Sequence, residues 1–245
     1  MHESYGMSHV GQVRSNNEDS FAAEPQLQFF AVADGMGGAQ AGERASQITI
    51  RTVVEDIEKV GREATIDDLA DSVVRANRNV RGEAAQHPEL AGMGTTIVAA
   101  LIRPEKAYIV NVGDSRAYLR SGEDLYCVTT DHSWVNEIGR GLGLTEEQLR
   151  VHPYRNILTK AVGAEDEVAA QRVEVDFLPG DLLLLCSDGL HGVAGEQAVA
   201  DALAADGNLK QKCEALIDAS LQRGAPDNVT VVLVSGGTAG NGAGR

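Results

Sequence analysis

The fold is decided by the stretch Gln28-Phe29-Phe30-Ala31-Val32-Ala33-Asp34-Gly35-Met36-Gly37-Gly38. Its first half is almost wholly apolar and predicts a strand, because strand-like runs of this kind end at glycine-rich turns. The glycines after Asp34 suit neither a strand nor a helix. A loop therefore presents the carboxylate of Asp34 at the end of a buried strand.

Two amphipathic helices are predicted after this turn. Residues 50–57 and 69–84 carry apolar side chains at the spacing of one helical face. Thr65, with Asp68 three residues later, is typical of the start of the second helix.

Strands dominate the middle of the chain. We expect strands at 95–102, 107–112, 117–120 and 126–129 to form an antiparallel meander. Residues 131–158 have no clean period and are interpreted as an irregular excursion. The chain then returns to a strand at 181–186, helices at 198–203 and 213–221, and a last strand at 229–234. Runs of strands and runs of helices, instead of strict alternation, predict an α+β fold.

The composition indicates one large globular domain. The chain has 245 residues, 43% of them hydrophobic and 23% charged, so a sizeable core is available. A net charge of -15 argues against binding to nucleic acid or an anionic membrane, because both need clustered cations. No membrane span or signal peptide is visible, and we expect a cytoplasmic protein. Three scattered cysteines, Cys127, Cys186 and Cys213, predict buried, reduced thiols without a disulfide or zinc site.

Four aspartates adjoin apolar strands: Asp34, Asp114, Asp188 and Asp227. Each one alone is best interpreted as a turn residue at a strand end. If they converge, burial and mutual repulsion would raise their pKa values unless cations lay between them. An oxygen-only set of ligands favours Mg²⁺ or Mn²⁺ over structural zinc.

A polar stretch near the start, Arg14-Ser15-Asn16-Asn17-Glu18-Asp19, has the composition of a solvated loop. Beside metal-binding aspartates, however, the guanidinium of Arg14 is suited to hold a phosphate bidentately. Glu18 and Asp19 would then order metal-bound waters. This combination points to phosphoryl chemistry.

Six motifs occur in the order seen in metal-dependent type-2C protein phosphatases, and the chain resembles the bacterial branch of that family over nearly its whole length. They are Arg14 to Asp19, Asp34-Gly35-Met36-Gly37-Gly38, Gly94-Thr95-Thr96, Gly113-Asp114-Ser115-Arg116, Ser187-Asp188-Gly189-Leu190 and Pro226-Asp227-Asn228-Val229-Thr230.

The resemblance implies a four-layer α/β/β/α sandwich, in which two central antiparallel sheets are flanked by helices and hold two Mn²⁺ or Mg²⁺ ions at one end. Asp34 would bridge the ions, with Asp188 and Asp227 completing one and the carbonyl of Gly35 binding the other. Glu18 and Asp19 would act through waters. A third, weaker ion would be held by Asp114 and Asp188.

The implied function is hydrolysis of protein phosphoserine and phosphothreonine, opposing bacterial Ser/Thr kinases. We expect in-line attack on phosphorus by a hydroxide shared between the ions, with no covalent phosphoenzyme. Arg14 would orient the phosphate. Phosphorylated proteins, including Ser/Thr kinases, are the expected partners of a monomer. The expected catalytic domain covers 1–235, with a flap at about 131–158 that influences substrate choice, and a flexible glycine-rich tail covers 236–245.

The general acid has no assignment, because Met36 stands where many eukaryotic relatives carry a histidine. His132 and His152 lie in the excursion, where a packing or surface role is the simpler interpretation. Cys186 lacks the phosphate loop of cysteine-dependent phosphatases, and neither an Asp-x-Asp pair nor a Walker glycine loop is present. Two alternatives remain open, a catalytically silent binding protein and a narrow phosphatase for one partner-switching regulator.

Overall fold

The fold is seen in a computed structural model that describes residues 2–38, 40–155 and 157–237. The strands are β1 (Ser4–His9), β2 (Asp19–Glu24), β3 (Phe29–Met36), β4 (Gly94–Thr95), β5 (Ile97–Arg103), β6 (Lys106–Val112), β7 (Arg116–Ser121), β8 (Asp124–Cys127), β9 (Gln171–Asp176), β10 (Leu182–Cys186) and β11 (Val229–Ser235). The helices are α1 (Ala41–Val60), α2 (Ile66–Gln86), α3 (Glu146–Arg150), α4 (Asp188–Ala194), α5 (Glu196–Ala204) and α6 (Leu209–Leu221).

Two antiparallel sheets lie face to face at the centre. One has the order β1-β11-β10-β7-β8, and the other has the order β2-β3-β5-β6-β9 with β4 beside β3. Helices α1 and α2 cover the second sheet, and α4, α5 and α6 cover the first. The predicted four-layer α+β sandwich is confirmed.

Strand β10 shows why the central strands are continuously apolar. Leu183 and Leu185 point into the core between the sheets, whereas Leu184 and Cys186 point to the helices on the outer side. A strand covered on both faces has no polar face, so its sequence does not alternate. Each fully buried leucine contributes about 1.5–3 kcal/mol relative to exposure, which makes the position of this strand strongly determined.

Helix α2 begins where its sequence predicts. The side chain of Thr65 accepts a hydrogen bond from the backbone N–H of Asp68 at 3.2 Å, and the Asp68 carboxylate accepts one from the Thr65 N–H at 2.8 Å. This reciprocal pair satisfies backbone donors that the first helical turn leaves free.

The predicted four-strand meander is wrong. β6 belongs to the six-stranded sheet and β7 to the five-stranded sheet, so the chain crosses between sheets at residues 113–115. Gly113 makes this crossing possible because its φ of 102° is open mainly to glycine. At the crossing the Ser115 hydroxyl lies 2.7 Å from that of Thr96. Sequence patterns also missed β1, β2 and β9, whose residues are mostly half-buried or exposed.

Residues 131–158 leave the sheets and contain short helical turns and α3, and a bridge between Ser133 and Leu158 joins their ends. The prediction of buried thiols is correct for Cys186 and Cys213 but wrong for Cys127, which is exposed on the edge strand β8. Within the described ranges, no helix has both the length and the apolarity needed to cross a membrane. Of the expected tail, residues 238–245 lie outside the described residues.

Candidate metal centre

One end of the sandwich holds a cavity of about 480 Å³. Seven of the eight predicted site residues line it. The eighth, Asp19, is buried, and its carboxylate accepts hydrogen bonds from Ser187 and Thr230. The lining residues are Arg14, Glu18, Asp34, Gly35, Met36, Gly37, Gly38, Thr96, Asp114, Leu158, Asp188, Asp227 and Asn228.

The strand order explains why distant aspartates meet here. β10 and β11 are antiparallel neighbours, so Asp188, two residues beyond the end of β10, lies beside the residues before β11, including Asp227. β3 of the facing sheet contacts both strands and brings Asp34 to the same end. Asp114 arrives from the crossing between the sheets. The convergence that sequence left undecided is therefore present.

Asp34 is fixed through its backbone by two threonines. Its N–H donates to the Thr96 hydroxyl at 3.0 Å, and its carbonyl accepts from the Thr95 hydroxyl and the Thr96 N–H, both at 2.8 Å. The Thr96 hydroxyl is in turn paired with Ser115. Asp34 is thereby held in register before anything binds in the cavity.

Burial and crowding favour the protonated forms of these acids. Burial raises the pKa of Asp34 well above its usual range, and the charges of Asp19, Asp188, Asp114 and Asp227 raise it further. The pKa of Asp188 is also raised, by burial first and then by Asp227.

Asp114 and Asp19 behave in the same way. Burial raises the pKa of Asp114 to about 7, with Asp188 and Asp131 adding to the shift. Burial likewise raises the pKa of Asp19 to about 7, although hydrogen bonds from Thr230 at 2.6 Å and Ser187 at 2.9 Å oppose the shift. The Asp19 Oδ1 atom is buried without a hydrogen-bond partner in the described residues.

These observations suit a hard divalent cation. A cation among the oxygens would favour the ionised acids and offset both the burial and the repulsion. The donors are all oxygens, the ligands that Mg²⁺ and Mn²⁺ prefer. As the side chains stand, no three His, Cys, Asp or Glu residues of the described chain surround a common ion position. Asp227 accepts a hydrogen bond from Arg14 at 2.8 Å, and Asp188 shares one with Asp34, so closure around an ion requires these side chains to turn.

Two glycines give the site its close packing. A side chain on Gly35 would overlap the backbone of Gly42 and Glu18, and one on Gly42 would overlap the Glu18 carboxylate. Glycine at position 35 is therefore required by the close approach of Gly42 and Glu18.

Neither histidine of the excursion lines the cavity. His132 is buried and its Nδ1 accepts from the Gly113 N–H at 3.2 Å, while His152 stacks on Trp134 with ring centroids 4.2 Å apart. A third histidine, His191 of α4, was missed by sequence reasoning. Its Nε2–H donates to the Asp114 carbonyl at 3.0 Å, and burial lowers its pKa to about 4.

Known proteins are similar to this chain in both sequence and architecture. A profile of the family described as protein phosphatase 2C matches residues 5–233. The chain belongs to this family. It is 36% identical over 231 residues to the serine/threonine phosphatase stp of Listeria welshimeri, covering 91% of this chain and 92% of that protein.

Solved structures agree. The serine/threonine phosphatase PstP/Ppp of Mycobacterium tuberculosis superimposes with a TM-score of 0.88 at 32% identity, covering 96% of this chain and 98% of the other. The PstP catalytic domain in complex with two manganese ions gives a TM-score of 0.86 at 32% identity, covering 96% and 97%. This chain is accordingly a metal-dependent serine/threonine protein phosphatase that uses Mn²⁺ or Mg²⁺.

Two further residues of this phosphatase's cavity had no predicted role, Thr96 and Asn228. Both belong to motifs that the sequence displays, Gly94-Thr95-Thr96 and Asp227-Asn228. Membership of these motifs indicates that the two residues matter, but only their hydrogen bonds show that Thr96 supports Asp34 and that Asn228 contacts Val10, Asn16 and Glu18.

Proposed function

We propose that this phosphatase cleaves phosphoserine and phosphothreonine in one in-line displacement, without a covalent phosphoenzyme. A single observation carries the proposal: one guanidinium and five carboxylates line the same cavity. A phosphate monoester needs a cation to bind it and activated water to cleave it. Arg14 supplies the cation, and the five carboxylates are ligands for metal ions that would activate water.

The metal ligands are proposed from the carboxylates that converge. Bound ions would lower the pKa of water and neutralise charge on the phosphoryl oxygens. For two ions, and a third held more weakly at Asp114 and Asp188, the proposed ligands are Asp34, Asp188, Asp227, Asp114 and the Gly35 carbonyl, with Glu18 and Asp19 acting through waters.

Arg14 is proposed as the phosphate-orienting residue. Among the described residues that line the cavity, it is the only one with a cationic side chain, and that side chain is half exposed, at 50%. The planar guanidinium can present two N–H groups to two phosphoryl oxygens, which a lysine cannot do. Its ion pair with Asp227 holds it at the cavity mouth.

The choice of side chains supports a mechanism without a phosphoenzyme. No cysteine, serine or histidine is among the described residues that line the cavity, and the Thr96 hydroxyl is engaged with Ser115 and the Asp34 N–H. Met36 lines the cavity at the position where many eukaryotic relatives carry a histidine. The proton for the leaving oxygen is therefore not assigned to a side chain.

A protein substrate is supported by the surface beside the cavity. Leu158 at the end of the excursion lines the cavity, and the excursion exposes large apolar side chains. Five of these are at least 45% exposed: Ile138, Leu142, Val151, Tyr154 and Ile157. Exposed apolar groups gathered in one segment are typical of protein-binding surfaces. We assign residues 131–158 as a flap over which the phosphoprotein lies.

The remaining assignments extend the proposal. Phosphorylated Ser/Thr kinases are proposed among the substrates, and the active unit is a monomer. The free thiols of Cys127, Cys186 and Cys213 favour a reducing compartment, so we propose the cytoplasm. Residues 1–235 form the catalytic domain in this proposal and 236–245 a tail. Retention of all the carboxylates and Arg14 disfavours a silent binding protein.

The proposal is tested with p-nitrophenyl phosphate and a phosphothreonine peptide in the presence of Mn²⁺ or Mg²⁺. Phosphate release is expected with either ion and is lost in chelator. Asp188→Ala should abolish turnover, because it removes a ligand, whereas Arg14→Ala should mainly raise KM. Full activity in chelator, or unchanged kinetics in Asp188→Ala, would refute the ligand assignment.

A further inference from the structure

The loop that carries Arg14 is exposed at its tip. Residues 12–15 lie on the surface between β1 and β2, and Val13 is 71% exposed. No strand or helix orders these residues. A phosphate-binding guanidinium on such a loop needs an anchor, because freedom of the loop is lost on binding and weakens it.

The loop is held at Gln12, whose N–H donates to the Ala225 carbonyl at 2.9 Å and whose Nε2 donates to the Leu221 carbonyl at 3.0 Å. A single side-chain amide, that of Asn228, joins the two ends of the loop. Asn228 is buried, with 4% of its surface exposed. Its Nδ2 donates to the carbonyl of Val10 at 2.9 Å and to that of Asn16 at 3.0 Å, which lie on either side of Arg14. Its Oδ1 accepts from the N–H of Glu18 at 2.8 Å.

The backbone on both sides strengthens this link. The N–H of Asn228 donates to Asp227 Oδ1 at 2.9 Å, while Asp227 Oδ2 accepts from Arg14. Gly11 lies so close to the Asp227 carbonyl that a side chain there would overlap it. The loop is thus packed against Asp227 at Gly11, and hydrogen bonds join it to Asp227 and Asn228 at Arg14, Val10 and Asn16.

We propose that Asn228 is a positioning residue for phosphate binding, which acts by clamping both ends of the loop that presents Arg14. Although Asn228 lines the cavity, its side-chain amide is engaged with Val10, Asn16 and Glu18, so we assign it no bond to phosphate. The inference rests on the proposed role of Arg14 and extends it to a residue that holds Arg14 in place.

Two substitutions isolate the clamp. Asn228→Asp preserves the shape and the oxygen that accepts from Glu18 but replaces the two N–H donors with an acceptor, which the Val10 and Asn16 carbonyls cannot pair with. Asn228→Ser removes the same donors without adding charge. If both behave alike, the new charge is not the cause, and Asn228→Ser also serves if Asn228→Asp does not fold.

Asn77 provides a matched control. It is 1% exposed, its Nδ2 donates to the Glu165 carbonyl at 3.0 Å, and its Oδ1 accepts from the Gly163 N–H. Asn77→Asp therefore breaks a similar buried clamp on a different loop, outside the residues that line the cavity.

The measurement is the inhibition constant, Ki, of inorganic phosphate against p-nitrophenyl phosphate hydrolysis by the Mn²⁺-loaded enzyme. We expect both Asn228 variants to raise Ki by about tenfold to a hundredfold, the range for an ångström-scale misplacement of a binding group. In the Arg14→Ala background neither should raise Ki further, since the clamp acts through Arg14. Amide hydrogen exchange, which needs no turnover, should show lost protection at residues 10–18. Asn77→Asp should lower the Tm and leave Ki unchanged.

The contrary results are distinct. An unchanged Ki in both Asn228 variants, or an equal rise with and without Arg14, would overturn the clamp while leaving the phosphatase assignment intact. Unchanged Ki in Arg14→Ala would remove the assigned role of Arg14 and the clamp with it. Failure of the wild-type enzyme to release phosphate from the phosphothreonine peptide would instead refute the proposed function.

Discussion

Replacing Thr96 by valine tests how the position of Asp34 is maintained. Valine has the same shape but no hydroxyl, so the Asp34 N–H loses its acceptor and Ser115 loses the partner 2.7 Å away. Thr96 is 2% exposed and Ser115 is fully buried, so water replaces neither bond readily. An unpaired buried polar group costs about 1–3 kcal/mol, and the two losses together should lower the free energy of unfolding by about 2–6 kcal/mol.

Thr49 of α1 is the matched control. Its hydroxyl is fully buried and has no hydrogen-bond partner among the described residues. Thr49→Val therefore removes an unsatisfied group and should be neutral or slightly stabilising. The comparison separates loss of a hydroxyl from loss of its hydrogen bonds.

The assay is urea unfolding followed by circular dichroism, together with Mn²⁺ titration of the folded variants. For a chain of this size, about 2–6 kcal/mol corresponds to a fall in Tm of roughly 4–24 °C. Thr96→Val should also bind Mn²⁺ more weakly, because Asp34 is less firmly placed. Equal stability of Thr96→Val and Thr49→Val, with equal Mn²⁺ affinity, would contradict the proposed support of Asp34.

Three further predictions concern pH, the Arg14 loop and the thiols. Because the folded pKa values of Asp19 and Asp114 are raised to about 7, the chelator-treated protein binds more protons than the unfolded chain between about pH 4 and 7. The Tm of the chelator-treated protein should fall as pH rises through this window. Mn²⁺ should raise the Tm more at pH 8 than at pH 5. A Tm of the chelator-treated protein that rises from pH 5 to pH 8 would contradict this prediction. Gly11→Ala, where φ is 81° and a side chain meets the Asp227 backbone, should lower Tm more than Gly122→Ala, where φ is 60° and no atom lies within 4 Å; equal shifts in thermal unfolding would show that the contact is unimportant. A thiol reagent should label Cys127 rapidly and Cys186 and Cys213 only after unfolding, so more than one fast equivalent would disprove their burial.

Sequence predicts the central strands of this fold well, because residues such as Leu183 and Val232 are buried in a pattern that leaves little alternative. It fails at the sheet edges. In β9 exposed polar residues alternate with half-buried ones, and in β2 the exposed residue is Phe21 whereas Asp19 is buried, so the pattern of residue types does not distinguish these strands from loops. It also failed at Gly113, since local pattern does not determine which sheet a strand joins. Pairing between sheets depends on contacts distant in sequence.

Sequence likewise predicts the site residues that lie near apolar strands and misses those whose role depends on contacts distant in sequence. Asp34, Asp188 and Asp227 were predictable because each lies within or close to the end of a strand that sequence identifies; β3 extends two residues beyond Asp34, although a loop was expected there. Asn228 and His191 were not assigned roles, because their effect depends on backbone groups of Val10, Asn16 and Asp114 that sequence does not bring together. Only the fold shows that a residue at 228 holds a loop that begins at 10.

The place of β11 in its sheet has a consequence for biosynthesis. It lies between β1 and β10, and Asp227 is two residues before its start. A nascent chain that has not yet released this segment from the ribosome therefore has an interrupted sheet and an incomplete site. Because the ribosome makes the chain from the N-terminus, β1 must wait for a partner more than 200 residues later, which favours slow folding. We therefore expect dephosphorylation to begin only after β11 has docked.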